Sequence, residues 1–180
     1  MPGNNHKIIF TGPVGAGKTT AISTISDITV LKTDESAQDM TKKRKQTTTV
    51  ALDYGLLKLG QGERIHLYGT PGQERFNFMW DILTNGGLGL ILLLDNSRPT
   101  PFKDMSFFIN SFHDFIFDNK VVIGVTHMEY NEAPKIKEYH QQLHKHGIKA
   151  PVLEVDAREK NDIETLIKTL LYSLDPWLGK

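Results

Sequence analysis

The chain has 180 residues, and 21 Lys and Arg balance 21 Asp and Glu, so no overall field favours nucleic acid or an anionic membrane and a charged partner needs a local patch. It contains no cysteine, which excludes disulfides and thiolate metal sites and agrees with a reducing cytoplasm. The length suits a single domain over residues 1–180 with a sizeable core, and no apolar run reaches the roughly 18 residues of a membrane span. Without a signal-peptide core or a C-terminal cysteine for prenylation, a cytoplasmic protein with no direct membrane anchor is expected.

Apolar runs predict strands near 7–11, 50–59, 64–69, 88–95, 120–126 and 151–156, alternating with helices near 18–27, 75–85, 102–117, 132–146 and 160–174. That alternation is the pattern of a parallel sheet with crossover helices. The second and third strands are separated only by Gly60, Gln61 and Gly62, a hairpin signal, so this pair is expected to be antiparallel. Leu88 to Leu94 is apolar without alternation, as a strand covered on both faces must be. Phe108, Phe112 and Phe115 recur at helical spacing and predict a core-facing stripe. Trp80 and Phe76 are either core or apolar groups offered to a partner. His140 and His144 stand one helical turn apart, but beside Lys145 and His146 they read as a solvated face rather than a metal pair. Thr41 to Thr49 (TKKRKQTTT) reads as a polar loop, its basic half either solvated or a docking patch for an acidic partner.

Gly12 to Thr20 reads GPVGAGKTT after a short apolar run and before a helix-forming stretch. Gly12, Gly17, Lys18 and Thr19 fit G-x-x-x-x-G-K-[ST], a loop whose backbone N–H groups surround a nucleotide's phosphates. Glycines let the backbone approach the anion where a Cβ would forbid it, Lys18 adds a positive charge, and Thr19 a hydroxyl for Mg²⁺. Nucleotide contacts are expected from Gly12, Val14, Gly15, Ala16, Gly17, Lys18, Thr19 and Thr20.

The third strand runs into Gly69-Thr70-Pro71-Gly72-Gln73-Glu74-Arg75-Phe76. This segment resembles the second switch of Ras-like small GTPases, where the pattern is D-x-x-G-Q-E. The resemblance implies that the Gly72 N–H meets the γ-phosphate and that Gln73 orients the attacking water, so Gln73, Lys18 and Gly72 form the expected catalytic set. It also implies a Ras-like G domain: an α/β P-loop fold with a six-stranded, mostly parallel sheet, one antiparallel strand and about five helices. Where the family has a metal-shell aspartate, this chain has Gly69. Thr49 to Asp53 resembles the T-x-x-x-D entry of the first switch. It implies Thr49 as the switch ligand to Mg²⁺, or one of the neighbouring Thr47 and Thr48, and Asp53 is either the replacement carboxylate or an exposed strand residue. The expected metal set is Thr19, Thr49 and Asp53.

After the fifth strand the family's guanine motif N-K-x-D is represented by Thr126-His127-Met128-Glu129. Glutamate keeps the acceptor pair for guanine at one methylene greater length. After the sixth strand, Asp156-Ala157-Arg158 resembles S-A-K, which implies that the Ala157 N–H meets guanine O6 and that Arg158 covers the base. Pro13, the missing aspartate and the Pro-Gly-Gln segment together resemble the bacterial gliding-motility (MglA) type and its relatives beside roadblock-domain genes. That resemblance implies GTP and GDP as ligands, an effector, and an activating protein of roadblock type. Val14, which can crowd Gln73, implies slow intrinsic hydrolysis, with Arg44 or Arg75 available to act in cis. Two rivals stand beside this reading: a nucleotide-binding scaffold with little hydrolysis, and a P-loop kinase or ATPase.

Overall fold

The computed structural model describes residues 5–32, 52–73, 79–130 and 134–174. Strand β1 (Asn5–Thr11) lies mid-sheet, in the order β2 (Leu31–Lys32), β3 (Asp53–Lys58), β4 (Arg64–Gly69), β1, β5 (Gly89–Asp95), β6 (Lys120–Thr126) and β7 (Val152–Glu154). Only β3 runs against its neighbours, β2 and β4; the other pairings are parallel. The expected α/β architecture with one antiparallel strand is therefore present, and the Gly60–Gly62 turn joins that strand to β4. A seventh strand is added to the expected six. It is β2, two exposed residues paired with Tyr54 and Asp53, and an edge that short and exposed has no apolar pattern to mark it.

Helices α1 (Lys18–Ile25), α2 (Trp80–Thr84), α3 (Pro101–Ser111), α4 (His113–Asp118), α5 (Ile136–Lys145) and α6 (Lys160–Leu174) cover the two faces. The single helix expected over 102–117 is two. Pro101 starts α3 at its first turn, where a missing N–H costs nothing. The chain then leaves helical geometry at Phe112 (φ −106°, ψ 17°), whose ring stacks on Trp80 at 4.8 Å. The aromatic stripe is core all the same: Phe108 and Phe112 are buried, and Phe115 packs against the same cluster. Trp80, 2% exposed, is core too; Phe76 lies outside the described residues. His140 and His144 are exposed, as a solvated face requires.

Successive side chains of a strand point to opposite faces, and β5 shows what that means for a central strand. Ile91 and Leu93 join Ile8, Phe10, Ile22 and Leu166 on one face. Leu90, Leu92 and Leu94 join Ile9, Met105, Phe108 and Leu143 on the other. Every position is buried, so no polar residue can alternate with the apolar ones. On α6, Ile163, Leu166, Ile167 and Leu170 are buried at helical spacing and seat the helix on the first face. This packing sets β1, β5, β6 and β7 parallel, with β5 and β6 ending side by side at Asp95 and Thr126, and beyond the carboxyl ends of such strands an open α/β sheet presents its ligand crevice.

Candidate nucleotide-binding site

The phosphate loop follows β1 directly and is shaped by glycine. Gly12 has φ 137°, and a Cβ there would lie 2.0 Å from the Leu93 carbonyl oxygen. Gly17 has φ 95° at the mouth of α1, where a Cβ would come within 2.8 Å of Ala157 Cβ. Both positions therefore need a residue without a side chain. Beside them the Thr11 and Thr70 hydroxyls are hydrogen-bonded at 2.8 Å, and the Thr70 N–H donates to the Phe10 carbonyl, so the ends of β1 and β4 are tied together.

Lys18 is 8% exposed, and its ammonium donates to the Gly12 and Pro13 carbonyls at 2.7 and 2.8 Å. Burial pushes its pKa down to about 8, while the Asp53 carboxylate opposes that shift and Arg98 adds to it. A buried cation hydrogen-bonded, among the described residues, to two neutral carbonyls is a poor resting state and a good phosphate trap, because an incoming anion supplies further negative charge. Gly72 lies against the same loop: a Cβ on it would come 2.6 Å from the Val14 nitrogen and 2.9 Å from Lys18 Nζ. Two of the three expected catalytic residues thus meet. Gln73 follows and is exposed, and Val14 stands 57% exposed on the rim. The Thr19 hydroxyl donates to Asp53 Oδ2, which brings two members of the expected metal set together. Thr49 lies outside the described residues, as do Thr47, Thr48, Arg44 and Arg75.

The base end is assembled from two loops. Thr126, buried at the end of β6, directs its hydroxyl to the Ala16 and Leu94 carbonyls, each 3.2 Å away, and so fastens the phosphate loop to the sheet. His127 adopts φ 57°, and its Nδ1 lies 3.0 Å from Asp95 Oδ1. From the other loop, Arg158 clasps Asp156 through side chain and backbone; the closest contact is Nη2 to Oδ2 at 2.5 Å. Those hydrogen bonds hold the Asp156 carboxyl down to about 2. Ala157 is pinned by its carbonyl, which accepts from the Thr24 hydroxyl at 2.8 Å. One cleft is lined by Gly15, Gly17, Thr20, Thr126, His127, Glu129, Asp156, Ala157 and Arg158 together, so the structure brings the residues expected at the base end to three of those expected in the phosphate loop, while Gly12, Val14, Ala16, Lys18 and Thr19 do not line it.

Sequence reasoning missed Asp95, which is nearly buried and also accepts from the Ser97 N–H and hydroxyl at 2.9 and 2.6 Å. The signal was available: a lone carboxylate closing a wholly apolar central strand lies where ligand loops begin. Tyr130, exposed and with its ring 5.7 Å from His127, had no such signal.

The family described as "Conserved hypothetical ATP binding protein" matches residues 29–171, most of the chain. The chain belongs to this family. It is also 25% identical over 176 residues to the Ras-related protein RabC of Dictyostelium discoideum, covering 94% of this chain and 84% of that protein. It is 22% identical over 169 residues to the Ras-related protein RABA2a of Arabidopsis thaliana, covering 92% and 72%. An uncharacterized protein of Methanocaldococcus jannaschii is 32% identical over 98 residues, 54% of this chain and 56% of that one. Over most of its length the chain is thus similar to Ras-related proteins as well. Among the described residues, no helix is long and apolar enough to cross a membrane.

Proposed function

We propose that this protein is a GTP-dependent switch: it binds GTP with Mg²⁺, hydrolyses it slowly to GDP and phosphate, and changes its affinity for a partner protein when the terminal phosphate leaves. The observation that carries the reading is the shared cleft, where Glu129 faces the same space as Gly15, Gly17 and Ala157. A carboxylate accepts two hydrogen bonds from guanine N1 and N2 and has no such pair to accept from adenine. In this reading the loop amides and Lys18 grip the phosphates, the Gly72 N–H senses the terminal one, and Gln73 positions water. The Thr19 hydroxyl and Asp53 carboxylate are adjacent, and oxygen donors of this kind suit a hard cation that also binds substrate phosphates. Bound Mg²⁺ would neutralise charge on the β- and γ-phosphate oxygens. Val14 is exposed and its nitrogen lies against Gly72, the residue before Gln73; a branched side chain that crowds Gln73 would make turnover slow.

The finer assignment, an MglA-type switch in bacterial signalling or polarity with an effector and a roadblock-type activating protein in the cytoplasm, draws its support from the sequence resemblance. An adenine-nucleotide reading has one specific support, the family's description. Calorimetric titration with GDP, GTP and ATP in Mg²⁺ separates them. GTP and GDP are expected to bind at least about tenfold more tightly than ATP, and Glu129→Ala to lose about 10- to 100-fold for guanine nucleotides, the range of a lost charged hydrogen-bonding partner. ATP binding as tight as GTP, unaffected by Glu129→Ala, would overturn the guanine assignment.

A further inference from the structure

A second groove, of about 510 Å³, lies at the end of the sheet opposite the nucleotide cleft, where the parallel strands begin. Fully buried Ile65, the second residue of β4, lines it together with Leu88 just before β5 and Leu59 at the β3–β4 turn. The end of α6 adds Leu171, Tyr172 and Leu174. Leu59 and Leu171 are only half-buried against the first core face, and Tyr172 is 50% exposed. Glu63 and Lys168 stand beside these apolar groups. A contiguous apolar surface with a charged rim marks a place that another segment covers.

The chain itself supplies a cover. Helix α6 ends at Leu174, which lines the groove, and residues 175–180 read DPWLGK. Proline cannot extend a helix without losing a backbone hydrogen bond and clashing with an earlier carbonyl, and it turns its predecessor away from helical geometry. The pair Asp175-Pro176 therefore predicts that the chain leaves the axis of α6 at the edge of the groove. Trp177 follows three residues after Leu174, a reach of up to about 10 Å. Its ring alone brings an apolar surface of about 150–250 Å² that favours burial. A short tether also holds a segment near its seat at an effective concentration in the millimolar range, so even a weak contact forms within the chain before it forms with a separate molecule. The charges agree as well, with Asp175 and Lys180 in the segment and Lys168 and Glu63 beside the groove.

We propose that residues 175–180 fold back over this groove, with Trp177 and Leu178 seated against Leu59, Leu88, Leu171 and Tyr172. The segment then joins the end of α6 to the β3–β4 turn and closes the apolar end of the sheet. This docking does not depend on which nucleotide the opposite cleft takes.

The test uses the full chain and its own fluorescence. There are two tryptophans, and Trp80 is buried in the core, so the signal of the wild type minus that of Trp177→Phe isolates Trp177. Its emission is expected to lie to the blue of its emission in urea, and acrylamide should quench it several-fold less readily than in the urea-unfolded chain. A charge on either wall, Tyr172→Glu on α6 or Leu59→Lys at the turn, should raise quenching to the unfolded level while circular dichroism shows the variant folded. Ile82→Glu, at an exposed residue of α2, should leave Trp177 protected. Quenching of the wild type as free as in urea leaves the groove to another occupant and overturns the proposal. So does protection that persists in the folded groove variants, because Trp177 is then seated elsewhere. Protection that disappears over about a hundredfold dilution assigns the seat to a second copy of the chain and overturns it too.

Discussion

At the phosphate end of the cleft the ligand-facing groups are backbone amides around Gly12 and Gly17 and one buried ammonium. At the base end they are exposed side chains, Glu129 on a short 3₁₀ turn and Arg158 clasped to Asp156. The first end is built into the sheet: Gly12 passes so close to Leu93 that no Cβ fits, and Thr126 fastens the loop to β5 and β6. The second end is carried by loops in which Ala157 and Met128 pack on the core while Glu129 and Arg158 stay exposed. A site made of backbone can be lost only together with the fold, whereas a site made of surface side chains can change its ligand while the fold stays. That difference explains how this chain can keep an intact phosphate-loop motif beside a base motif altered at His127 and Glu129.

Gly12→Ala would break the comparison most directly. A Cβ facing a carbonyl oxygen at 2.0 Å, on a backbone that L side chains avoid, is expected to cost about 3 kcal/mol or more, or to prevent folding, as read by urea denaturation. Near-normal stability would show that the phosphate end is softer than its geometry implies. By contrast, exposed Glu129→Ala should leave stability within about 0.5 kcal/mol while it abolishes base preference.

Lys18 gives an intermediate effect with a definite sign. Its pKa is lowered to about 8 in the folded, nucleotide-free protein, so between pH 8 and the unfolded value the folded state binds fewer protons. Stability attributable to this group therefore rises with pH across that window, and below pH 8 the buried charge costs its full amount. The gain is at most about 1.4 kcal/mol for each unit separating the two pKa values. The difference in unfolding free energy between wild type and Lys18→Met, followed from pH 7 to 10, should show this slope. Saturating GDP should flatten it, because phosphate holds the proton on. A slope that persists with nucleotide would place Lys18 away from the phosphates.

The smallest expected effect lies where the two ends meet. Thr126→Val removes one hydroxyl tie to Ala16 and Leu94 and should cost about 1 kcal/mol of stability. GDP affinity should fall by no more than about fivefold, the same energy expressed as binding. A larger loss of affinity than of stability would mean that Thr126 touches the nucleotide itself.

The phosphate loop was legible in the sequence because its chemistry depends on residue type at fixed local spacing: glycine for φ, lysine for charge, threonine for a hydroxyl. β5 was legible because a strand buried on both faces has no polar positions to confuse its pattern. Strand β2 was not, since two exposed residues held at an edge carry no periodicity. The break at Phe112 was hidden as well, because the apolar spacing runs through it unchanged, and only the stacking partner on α2 shows where the chain turns aside.

By itself, then, the sequence determined the phosphate-loop motif, the places of the major strands along the chain and which apolar stripes are core, all properties set within one segment by backbone preference and hydrophobic period. Only the tertiary structure decided that Asp53 meets the Thr19 hydroxyl, that Asp95 steadies His127, and that the two loops converge on one cleft. Such pairings depend on the register of strands that are distant along the chain. Register is fixed by how whole faces bury against one another, and no short stretch of residues contains it.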